Sequence, residues 1–295
     1  MDDETPAPAS ARGGDDIAAI ISLLACPACR DPLNVGPDWI RCEGCDARYP
    51  IEDGVALLAL HGASETWGAP QLAEQSTDYQ REFEDIGRAA DYNLQFRRRP
   101  LKLGVTPRES RLIRRFIREV GPSRAILEIP CGGGRLTPAF ADSAGLVIEA
   151  DIAIGQVRYG RHASRVATPR VWMTASAFHI PLRDGSVDGA VCVRLSHHLP
   201  TQSERERLFA ELLRVSSRFV IVTFFDRHSL KHLTWRLRHP FSRKPRKPAM
   251  TKAEVAALAK ACNARLVATA PLSRFGSGHR YALLVKNPAT SRGSR

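Results

Sequence analysis

The sequence predicts an α/β fold with a parallel sheet, and three observations carry the prediction. Residues 125–129 form an apolar run typical of a buried strand, and a glycine cluster follows at residues 132–134. Residues 136–140 come next and can form a helix. A second apolar strand, residues 146–151, ends in an acid 17 positions beyond Gly134. Strand, glycine turn, helix and a strand with a terminal carboxylate together indicate a nucleotide-binding sheet.

Each part of this pattern has a physical reason. Gly132 and Gly134 lack a Cβ, so the backbone can turn sharply there and approach a ligand closely. Glu128, near the end of the first strand, places a carboxylate beside the turn. Asp151, at the tip of the neighbouring strand, can accept hydrogen bonds from both ribose hydroxyls of a bound nucleoside. The alternative role for Asp151 is a simple cap at the start of the next helix.

Five further strands and three capped helices are predicted. The apolar runs that indicate strands lie at residues 171–174, 189–193, 219–225, 265–269 and 281–286. Capping boxes, in which a threonine is followed three residues later by a glutamate, predict helix starts at Thr106, Thr201 and Thr251. The Gly-Pro pair at 121–122 predicts the end of the first of these helices.

Four cysteines form two Cys-x-x-Cys pairs, Cys26 with Cys29 and Cys42 with Cys45. Twelve residues separate the pairs, a spacing typical of a zinc ribbon. Four thiolates complete a tetrahedral site with no open position, so the zinc is predicted to be structural. So short a segment needs the metal because it cannot bury a sufficient core alone. A redox disulfide pair and an iron site are the alternatives.

The composition is that of a globular protein. The chain has 295 residues, 43% hydrophobic and 25% charged, which suits one large domain and a small one. No apolar run reaches the length of a membrane-spanning helix, so no transmembrane segment is predicted. The formal net charge of +12 favours an anionic partner, either nucleic acid, phospholipid or an acidic metabolite. A basic protein without such a partner is the alternative.

The first residues predict a cytoplasmic protein with a disordered leader. The apolar residues 17–25 precede Cys26, and the resulting Leu-Leu-Ala-Cys sequence looks like a bacterial lipoprotein cleavage site. Acidic residues stand ahead of it, however, where a secretory signal needs positive charge. Cys26 is also better explained as a metal ligand. The leader is rich in small, polar and charged residues, which favours disorder.

Three stretches form an ordered set of motifs around the glycine turn. Residues 127–135 read Leu-Glu-Ile-Pro-Cys-Gly-Gly-Gly-Arg, residues 149–152 read Glu-Ala-Asp-Ile, and residues 174–188 lead into the fourth strand. In this order they resemble the motifs of class I S-adenosylmethionine (SAM)-dependent methyltransferases of the type 11-like group. The resemblance covers residues 79–286. It implies a Rossmann-like, seven-stranded methyltransferase sheet whose last two strands are antiparallel.

The resemblance implies S-adenosyl-L-methionine as the cofactor and direct transfer of its methyl group to an acceptor. Because that methyl group is already activated, the protein mainly positions the reactants and excludes water. Two positions depart from the family pattern, since many members have glycine at Pro130 and aspartate at Ser176, where serine accepts a weaker hydrogen bond from adenine. The cofactor-binding residues that the resemblance implies are Glu128, Pro130, Cys131, Gly132, Gly133, Gly134, Asp151, Ser176 and Ala177.

The cysteine-rich segment resembles a second family. Residues 24–29 and 49–55 are similar to the small zinc-ribbon proteins whose founding members activate tRNA methyltransferases. Members occur alone or fused ahead of methyltransferase domains, which agrees with the motifs further along this chain. A comparable ribbon helps ribosomal RNA guanine methyltransferases to engage RNA, and the same ribbon also precedes methyltransferases of small molecules. The acceptor therefore stays open between RNA, a lipid or glycan precursor and a small metabolite.

The candidate catalytic residues are His197 and His198. They follow the fourth strand at its carboxyl end, where open α/β sheets bind ligands, and histidine can act as a general base. The alternative is that these histidines only shape the pocket. Tyr79, Phe83 and Tyr92 lie in leading helices that the resemblance implies cover the cofactor, although an aromatic stripe is more often packing.

Two basic stretches are candidates for contact with an anionic acceptor. Residues 97–99 are three consecutive arginines, which would either clamp an anion at the mouth of the site or form a solvated face. Residues 227–252 form an insertion rich in lysine and arginine and interleaved with Trp235 and Phe241. Such a segment could grip RNA phosphates and stack bases, lie on a phospholipid surface, or remain a solvated loop.

These assignments divide the chain into five parts. They are a disordered leader at 1–14, a zinc ribbon at 15–60, a linker at 61–78, a methyltransferase domain at 79–287 that contains the insertion 227–252, and a disordered tail at 288–295.

Two other functions stay open at this point. A nicotinamide-dependent oxidoreductase would use a similar sheet, but the third fingerprint glycine and a Tyr-x-x-x-Lys pair near the fourth strand are absent, and residues 174–188 argue against it. A degenerate methyltransferase domain could instead be a binding module that presents the ribbon and the insertion to RNA or a protein. Pro130 and Ser176 are the residues that leave this alternative open.

Overall fold

The computed structural model describes residues 13–59, 78–238, 248–273 and 277–288. The strands are β1 (Leu33–Val35), β2 (Trp39–Cys42), β3 (Arg48–Glu52), β4 (Val55–Leu57), β5 (Ser123–Glu128), β6 (Ala144–Asp151), β7 (Arg170–Thr174), β8 (Val187–Cys192), β9 (Ser216–Phe225), β10 (Ala264–Pro271) and β11 (His279–Lys286). The helices are α1 (Gly13–Ala19), α2 (Asp78–Glu82), α3 (Ile86–Arg98), α4 (Pro100–Leu103), α5 (Val105–Val120), α6 (Ile154–Ala163), α7 (Gln202–Val215), α8 (Leu230–Arg238) and α9 (Lys252–Ala261).

The described strands form one sheet in the order β1-β2-β3-β4-β7-β6-β5-β8-β9-β11-β10. Strands β4, β7, β6, β5, β8 and β9 run parallel, and β11 and β10 close the sheet antiparallel. All seven predicted strands are confirmed as β5 to β11. The strand order reverses between β5 and β8, and such a switch point opens a crevice at the carboxyl ends of the strands.

The sheet is longer than predicted because four amino-terminal strands extend it. Strand β4 pairs in parallel with β7, with Val55 opposite Trp172 and Leu57 opposite Thr174. Without β4, the backbone groups on that side of β7 would be an unpaired sheet edge. The prediction of a seven-stranded sheet beside a small ribbon is therefore corrected to one continuous sheet of eleven strands in the described residues.

The predicted ribbon also shares its hydrophobic core with the larger domain. Ile17 and Leu24 belong to the same buried cluster as Leu182. Leu24 forms a backbone bridge with Leu182, and the Arg30 side chain donates a hydrogen bond of 2.8 Å to the buried Glu211. The ribbon and the large domain therefore depend on each other for burial of their apolar surface.

Two of the three predicted capping boxes are confirmed and one is wrong. Thr201 and Thr251 each accept a hydrogen bond from the backbone three residues later, as predicted. Helix α5 instead begins at Val105, ahead of Thr106, and its first turn has no capping side chain. Glu109 is unavailable for capping because it is buried and paired with two arginines. Gly121, with φ of 75°, ends α5 as predicted.

The segment after the glycine turn differs from the expected helix. Residues 136–140 contribute to two short 3-10 turns, Thr137–Ala139 and Ala141–Ser143, rather than to an α-helix. Strand β6 begins at Ala144, so the chain returns to the sheet too soon for a regular helix to form. The connection is therefore compact, and it brings Thr137 under the strand ends.

Several predicted segments lie wholly or partly outside the described residues. These are residues 1–12 of the leader, residues 61–77 of the linker, residues 239–247 of the insertion with Phe241, and residues 289–295 of the tail. Helix α1 begins at Gly13, inside the predicted leader, and α8 lies inside the insertion. In the part of the chain that the structure describes, no helix has both the length and the apolar character needed to cross a membrane.

Candidate functional site

A cavity of about 610 Å³ opens at the carboxyl ends of β5, β6 and β8, beside the switch point. This volume lies within the range that small-molecule sites occupy, roughly 300–1,000 Å³. Gly133 and Gly134, which were also predicted to bind the cofactor, do not line it. The predicted residues that do are Glu128, Pro130, Cys131, Gly132, Asp151, Ser176, Ala177, His197 and His198.

The glycine turn takes a conformation that favours glycine at three consecutive positions. Gly132, Gly133 and Gly134 have φ angles of 51°, 86° and 68°, a region that side chains rarely adopt. A Cβ on Gly132 would meet no atom within 4 Å, so this residue is open towards the cavity. A Cβ on Gly133 would lie 2.6 Å from Asn93 Nδ2 and 2.8 Å from Tyr159 Cδ1. Gly133 therefore lets α3 and α6 pack against the turn, while Gly132 leaves room for a ligand.

Asp151 holds the turn to the neighbouring strand. One oxygen of its carboxylate, Oδ2, accepts a 2.9 Å hydrogen bond from Gly132 N, and Oδ1 accepts one of 3.0 Å from Ala153 N. Burial raises the pKa of Asp151 to about 6, and the backbone hydrogen bonds oppose this shift. Asp151 lies ahead of the α6 cap position, which is Ala153, so the simple helix-cap role is not observed. Each carboxylate oxygen has a further lone pair for a ligand.

Beneath the turn, two buried carboxyl groups meet one hydroxyl. Thr137 Oγ1 lies 2.8 Å from Glu128 Oε2 and 2.7 Å from Glu149 Oε1. One hydroxyl has one proton, so it satisfies both groups when one carboxyl is protonated and donates to it. Burial, and then the neighbouring Glu149, raise the pKa of Glu128 well above its usual value. Burial likewise raises the pKa of Glu149 to about 7.

Three histidines gather at the other end of the cavity. His197 and His198 lie on the 3-10 turn Ser196–His198, with ring centroids 4.2 Å apart. The ring of His279 lies 4.8 Å from that of His197, and Phe225 packs against both His197 and His279. All three histidines line the cavity, with His197 and His279 buried and His198 exposed.

The aromatic residues of the leading helices divide between the cavity and packing. Tyr79 and Tyr92 line the cavity. Phe83 lies between them, with ring centroids 4.8 Å from Tyr79 and 5.2 Å from Tyr92, and it packs on Ala153 at the start of α6. Helices α2 and α3 therefore cover the cavity with tyrosine side chains, and Phe83 holds them against the sheet.

The predicted arginine clamp at residues 97–99 is not at this cavity. All three arginines are exposed, and Arg97 lines a neighbouring cavity of about 780 Å³ on the other side of the glycine turn, together with Gly133 and Gly134. The arginines that line the main cavity are Arg135 and Arg194.

The four cysteines of the ribbon come together. Their Sγ atoms all lie within 4.8 Å of one another, with 3.7 Å between Cys26 and Cys45 and 3.3 Å between Cys29 and Cys42. In a tetrahedral zinc site with Zn–S bonds of about 2.3 Å, neighbouring sulfurs are about 3.8 Å apart. The backbone N–H groups of Gly44 and Cys45 donate to Cys42 Sγ, which supports a thiolate there. All seven cysteines of the chain are free of disulfides. The arrangement fits a four-coordinate metal.

Two sequence comparisons agree with this geometry. A family model described as a methyltransferase domain matches residues 127–218, from the end of β5 into β9. A UPF0434 protein from Vesicomyosocius okutanii subsp. Calyptogena okutanii (strain HA) is 38% identical over 47 residues, which are 16% of this chain and 80% of that protein. Residues 127–218 therefore form a methyltransferase domain, and the ribbon belongs to the UPF0434 family.

Solved structures share the fold of the methyltransferase. Magnesium protoporphyrin IX methyltransferase from Synechocystis PCC 6803, solved with bound S-adenosylhomocysteine (SAH), has a TM-score of 0.60 at 15% identity, over 72% of this chain and 100% of that one. A chain from the complex between the Haloferax volcanii Trm112 methyltransferase activator and the putative methyltransferase has a TM-score of 0.52 at 11% identity, over 70% of this chain and 96% of that one. These likenesses confirm the Rossmann-like methyltransferase fold.

Sequence reasoning missed Arg135 and Arg194 of the cavity wall, and it also missed Glu149 and His279. Glu149 stands opposite Glu128 in the parallel register of β5 and β6. Acidic residues near the ends of both strands were the signal in the sequence that could have predicted this pair. His279 is the first residue of β11, and an antiparallel strand starts at the edge where parallel strands end. The predicted direction of the last strand could have placed His279 beside His197.

Because Glu128 and Glu149 hold one proton between them, we predict an unusual pH dependence of the free energy of unfolding. The pKa of Glu149 rises from 4.5 to about 7 on folding, so the folded state binds more protons in this window. The free energy of unfolding then falls as pH rises from about 4.5 to 7, by up to about 3 kcal/mol for this group. Glu128 acts in the same direction. Above the folded pKa the loss is complete.

The check is urea unfolding of wild type and Glu149→Gln between pH 5 and 8. As pH rises, we expect the free energy of unfolding of wild type to fall relative to that of Glu149→Gln, because glutamine cannot ionise. Glu119→Gln, at the surface of α5, is the control and should follow wild type. An unchanged difference across this range would contradict the shared proton.

Proposed function

We propose that the cavity binds SAM at the glycine turn and transfers its methyl group to an acceptor at the histidine end. The observation that carries this proposal is that one cavity is lined by Gly132, Asp151 and the three histidines at the switch point of the sheet. When bound, SAM supplies an activated methyl group, and the protein contributes position and exclusion of water.

The residues present fit a nucleoside and its sulfonium side chain. Asp151 would accept the ribose hydroxyls, because the turn fixes its carboxylate at the tip of β6. Gly132 leaves the backbone open towards the cavity, and Glu128 offers a carboxyl group beside it. Ser176 and Ala177 line the cavity after β7, where adenine would lie, and Ser176 Oγ accepts a hydrogen bond from Phe178 N. The serine thus shapes this end of the pocket.

At the acceptor end, a histidine would hold the proton that the acceptor loses. A ring nitrogen of His197 or His198 can accept such a proton if it lies within hydrogen-bond reach of the acceptor atom. His198 is exposed and can pass a proton to solvent, whereas His197 is buried between His279 and Phe225. His279 keeps His197 in place by ring contact.

The distribution of charge does not favour RNA binding through the ribbon. Residues 17–59 contain three arginines, no lysine, and six aspartates and glutamates. Such a segment repels a phosphate backbone. A group of exposed arginines lies instead on α5, at Arg108, Arg111, Arg115 and Arg118. None of these four arginines lines the cavity.

The alternative of a degenerate binding module is not favoured. A module that had lost its chemistry would not need an open cavity, a turn of three glycines and a buried carboxylate in one place. The departures at Pro130 and Ser176 do not close the cavity, since both residues line a volume of about 610 Å³. The match of residues 127–218 to a methyltransferase domain also disfavours an oxidoreductase.

Cofactor affinity is the test of the proposed site. We expect calorimetry to show micromolar binding of SAM and SAH to wild type, and a loss of about tenfold or more in Asp151→Asn, since a charge-assisted hydrogen bond to ribose is lost. Asp142→Asn is the matched control, because Asp142 is an exposed acid in the neighbouring cavity. Undetectable binding of SAM and SAH to folded wild type would contradict the proposal.

We also propose that Cys26, Cys29, Cys42 and Cys45 bind one structural zinc ion. Because the ribbon shares its core and sheet with the methyltransferase domain, the metal should stabilise the whole chain. The fully thiolate ligand set suits zinc and leaves no open position for chemistry.

Removal of the metal should therefore unfold more than the ribbon. We expect elemental analysis to find one equivalent of zinc per chain in wild type and none in Cys29→Ser. We expect that variant to melt in a single transition at a lower temperature than wild type. Cys262→Ser is the control, because Cys262 lies outside the cluster. A visible iron spectrum, a disulfide in place of metal, or an unchanged melting transition would count against the assignment.

A further inference from the structure

Two arginines of the cavity wall share a single buried carboxylate. Arg135 Nη1 lies 2.7 Å from Glu109 Oε2, and Arg194 Nη2 lies 2.7 Å from Glu109 Oε1. The side chain of Glu109 is 1% exposed, and those of Arg135 and Arg194 are 15% and 26% exposed. Among the described residues, neither arginine has an ion pair with any other acid. The cluster therefore carries one surplus positive charge.

The surplus charge lies in a group of cations gathered around one aromatic ring. Arg135 stacks on the ring of Phe96 at 4.0 Å, and Arg194 lies 5.6 Å from the same ring. Lys102 lies 5.0 Å from the ring on the outside of the cluster. Burial, and then the charges of Arg99, Arg194 and Arg135, lower the pKa of Lys102. A positive potential is therefore present at this wall.

The backbone conformation that places Arg194 in this cluster lowers the stability of the fold. Arg194 follows β8 with φ of 66°, a left-handed conformation that costs a non-glycine residue on the order of 1–3 kcal/mol. Its backbone N–H donates a 2.7 Å hydrogen bond to Thr223 Oγ1, which holds this conformation. Thr106, part of the capping box that does not form, accepts a hydrogen bond from Arg135 instead. Backbone strain of this kind is typical of ligand sites.

An anion in the cavity would complete the charge balance. A partly buried charge without a counter-charge is costly, and a ligand anion would relieve that cost. Both arginines line the cavity, and the planar guanidinium group matches the two oxygens of a carboxylate. One surplus charge suits a monoanion, whereas a phosphate monoester carries about −1.5 to −2 at pH 7.

We propose that Arg135 and Arg194 form a subsite for a carboxylate group of the methyl acceptor. Arg194 stands three residues before His197, and both line the same cavity, so an acceptor held by its carboxylate could present its reacting atom to the histidines. The acceptor class is then a small carboxylic acid with a nucleophilic oxygen, nitrogen or carbon. This inference rests on the proposed function of the cavity, which supplies the methyl donor.

The methyl transfer that this implies is balanced without another reactant. The acceptor atom forms a bond to the methyl carbon as the bond from that carbon to the sulfonium breaks, and the sulfur retains the electron pair as SAH forms. The proton released by the acceptor goes to a histidine and then to water. The carboxylate takes no part in bond making and serves to orient the acceptor.

The test uses the full-length, zinc-loaded protein saturated with SAH, and benzoate and 4-hydroxybenzoate as probes. Their neutral amides, benzamide and 4-hydroxybenzamide, are the matched controls. We expect the acids to raise the melting temperature in a concentration-dependent way and the amides to have no effect, since only a ligand of the native state stabilises it. Calorimetry then gives the affinity for each acid.

Two substitutions with opposite predicted signs keep the test informative. Arg194→Gln removes the surplus charge and should weaken binding of the acids by about tenfold or more. Glu109→Gln removes the counter-charge and should tighten it. Arg97→Gln, an exposed arginine of the neighbouring cavity, should change nothing. If either Arg194→Gln or Glu109→Gln fails to fold, the other variant still tests the proposal.

SAH affinity separates the possible failures. If SAH binds wild type and neither acid does, the carboxylate subsite is wrong while the proposed function stands. If Arg194→Gln weakens SAH and not the acids, the arginines hold the carboxylate of the cofactor, and the acceptor assignment is overturned. If SAH itself does not bind, the proposed function fails and the inference fails with it.

Discussion

The hydrogen bond from Gly132 N to the Asp151 carboxylate is the contact on which the site depends. It ties the end of β5, which borders the switch point, to the end of β6. The bond can form because three glycines in succession take positive φ angles. The same turn leaves Gly132 open to the cavity and lets Gly133 pack closely against α3 and α6. One turn thus sets both the floor of the cavity and the helices that cover it.

Buried ionisable groups give the two halves of the cavity different characters. At the floor, Glu128 and Glu149 lie so close, and so far from water, that burial and their mutual repulsion favour one shared proton. At the wall, Arg135 and Arg194 both pair with the single carboxylate of Glu109. The floor can become more negative by losing a proton, and the wall can become neutral by binding an anion. A cationic donor therefore suits the carboxyl groups of the cavity, and an anionic acceptor suits its arginines.

Much of the fold could be predicted from the sequence because its signals are local. Apolar runs marked all seven strands from β5 to β11, and residue types at fixed spacing marked two capping boxes and the cysteine cluster. The pairing of β4 with β7 could not be predicted, because it joins distant segments and no local pattern specifies it. The capping box at Thr106 does not form for a related reason. Thr106 and Glu109 bond instead to Arg135 and Arg194, which lie far along the chain.

The candidate site shows the same division. The glycine turn, Asp151 and the paired histidines are adjacent to strand ends, so their positions followed from the strand predictions. Glu149 and His279 needed the register and direction of neighbouring strands, and the arginine cluster needed the tertiary packing of α5 on the sheet. Sequence reasoning left residues 97–99, three consecutive arginines, as either an anion clamp or a solvated face. The structure instead lines the main cavity with Arg135 and Arg194, which are isolated in the sequence.

A crystal structure of the protein with SAH would test the central claim most directly. The account predicts SAH in the cavity beside the glycine turn, with both ribose hydroxyls on the Asp151 carboxylate and the sulfur facing the histidines. SAH in the neighbouring cavity beside Arg97 and Tyr159, or absent from a well-ordered crystal grown at saturating concentration, would contradict it.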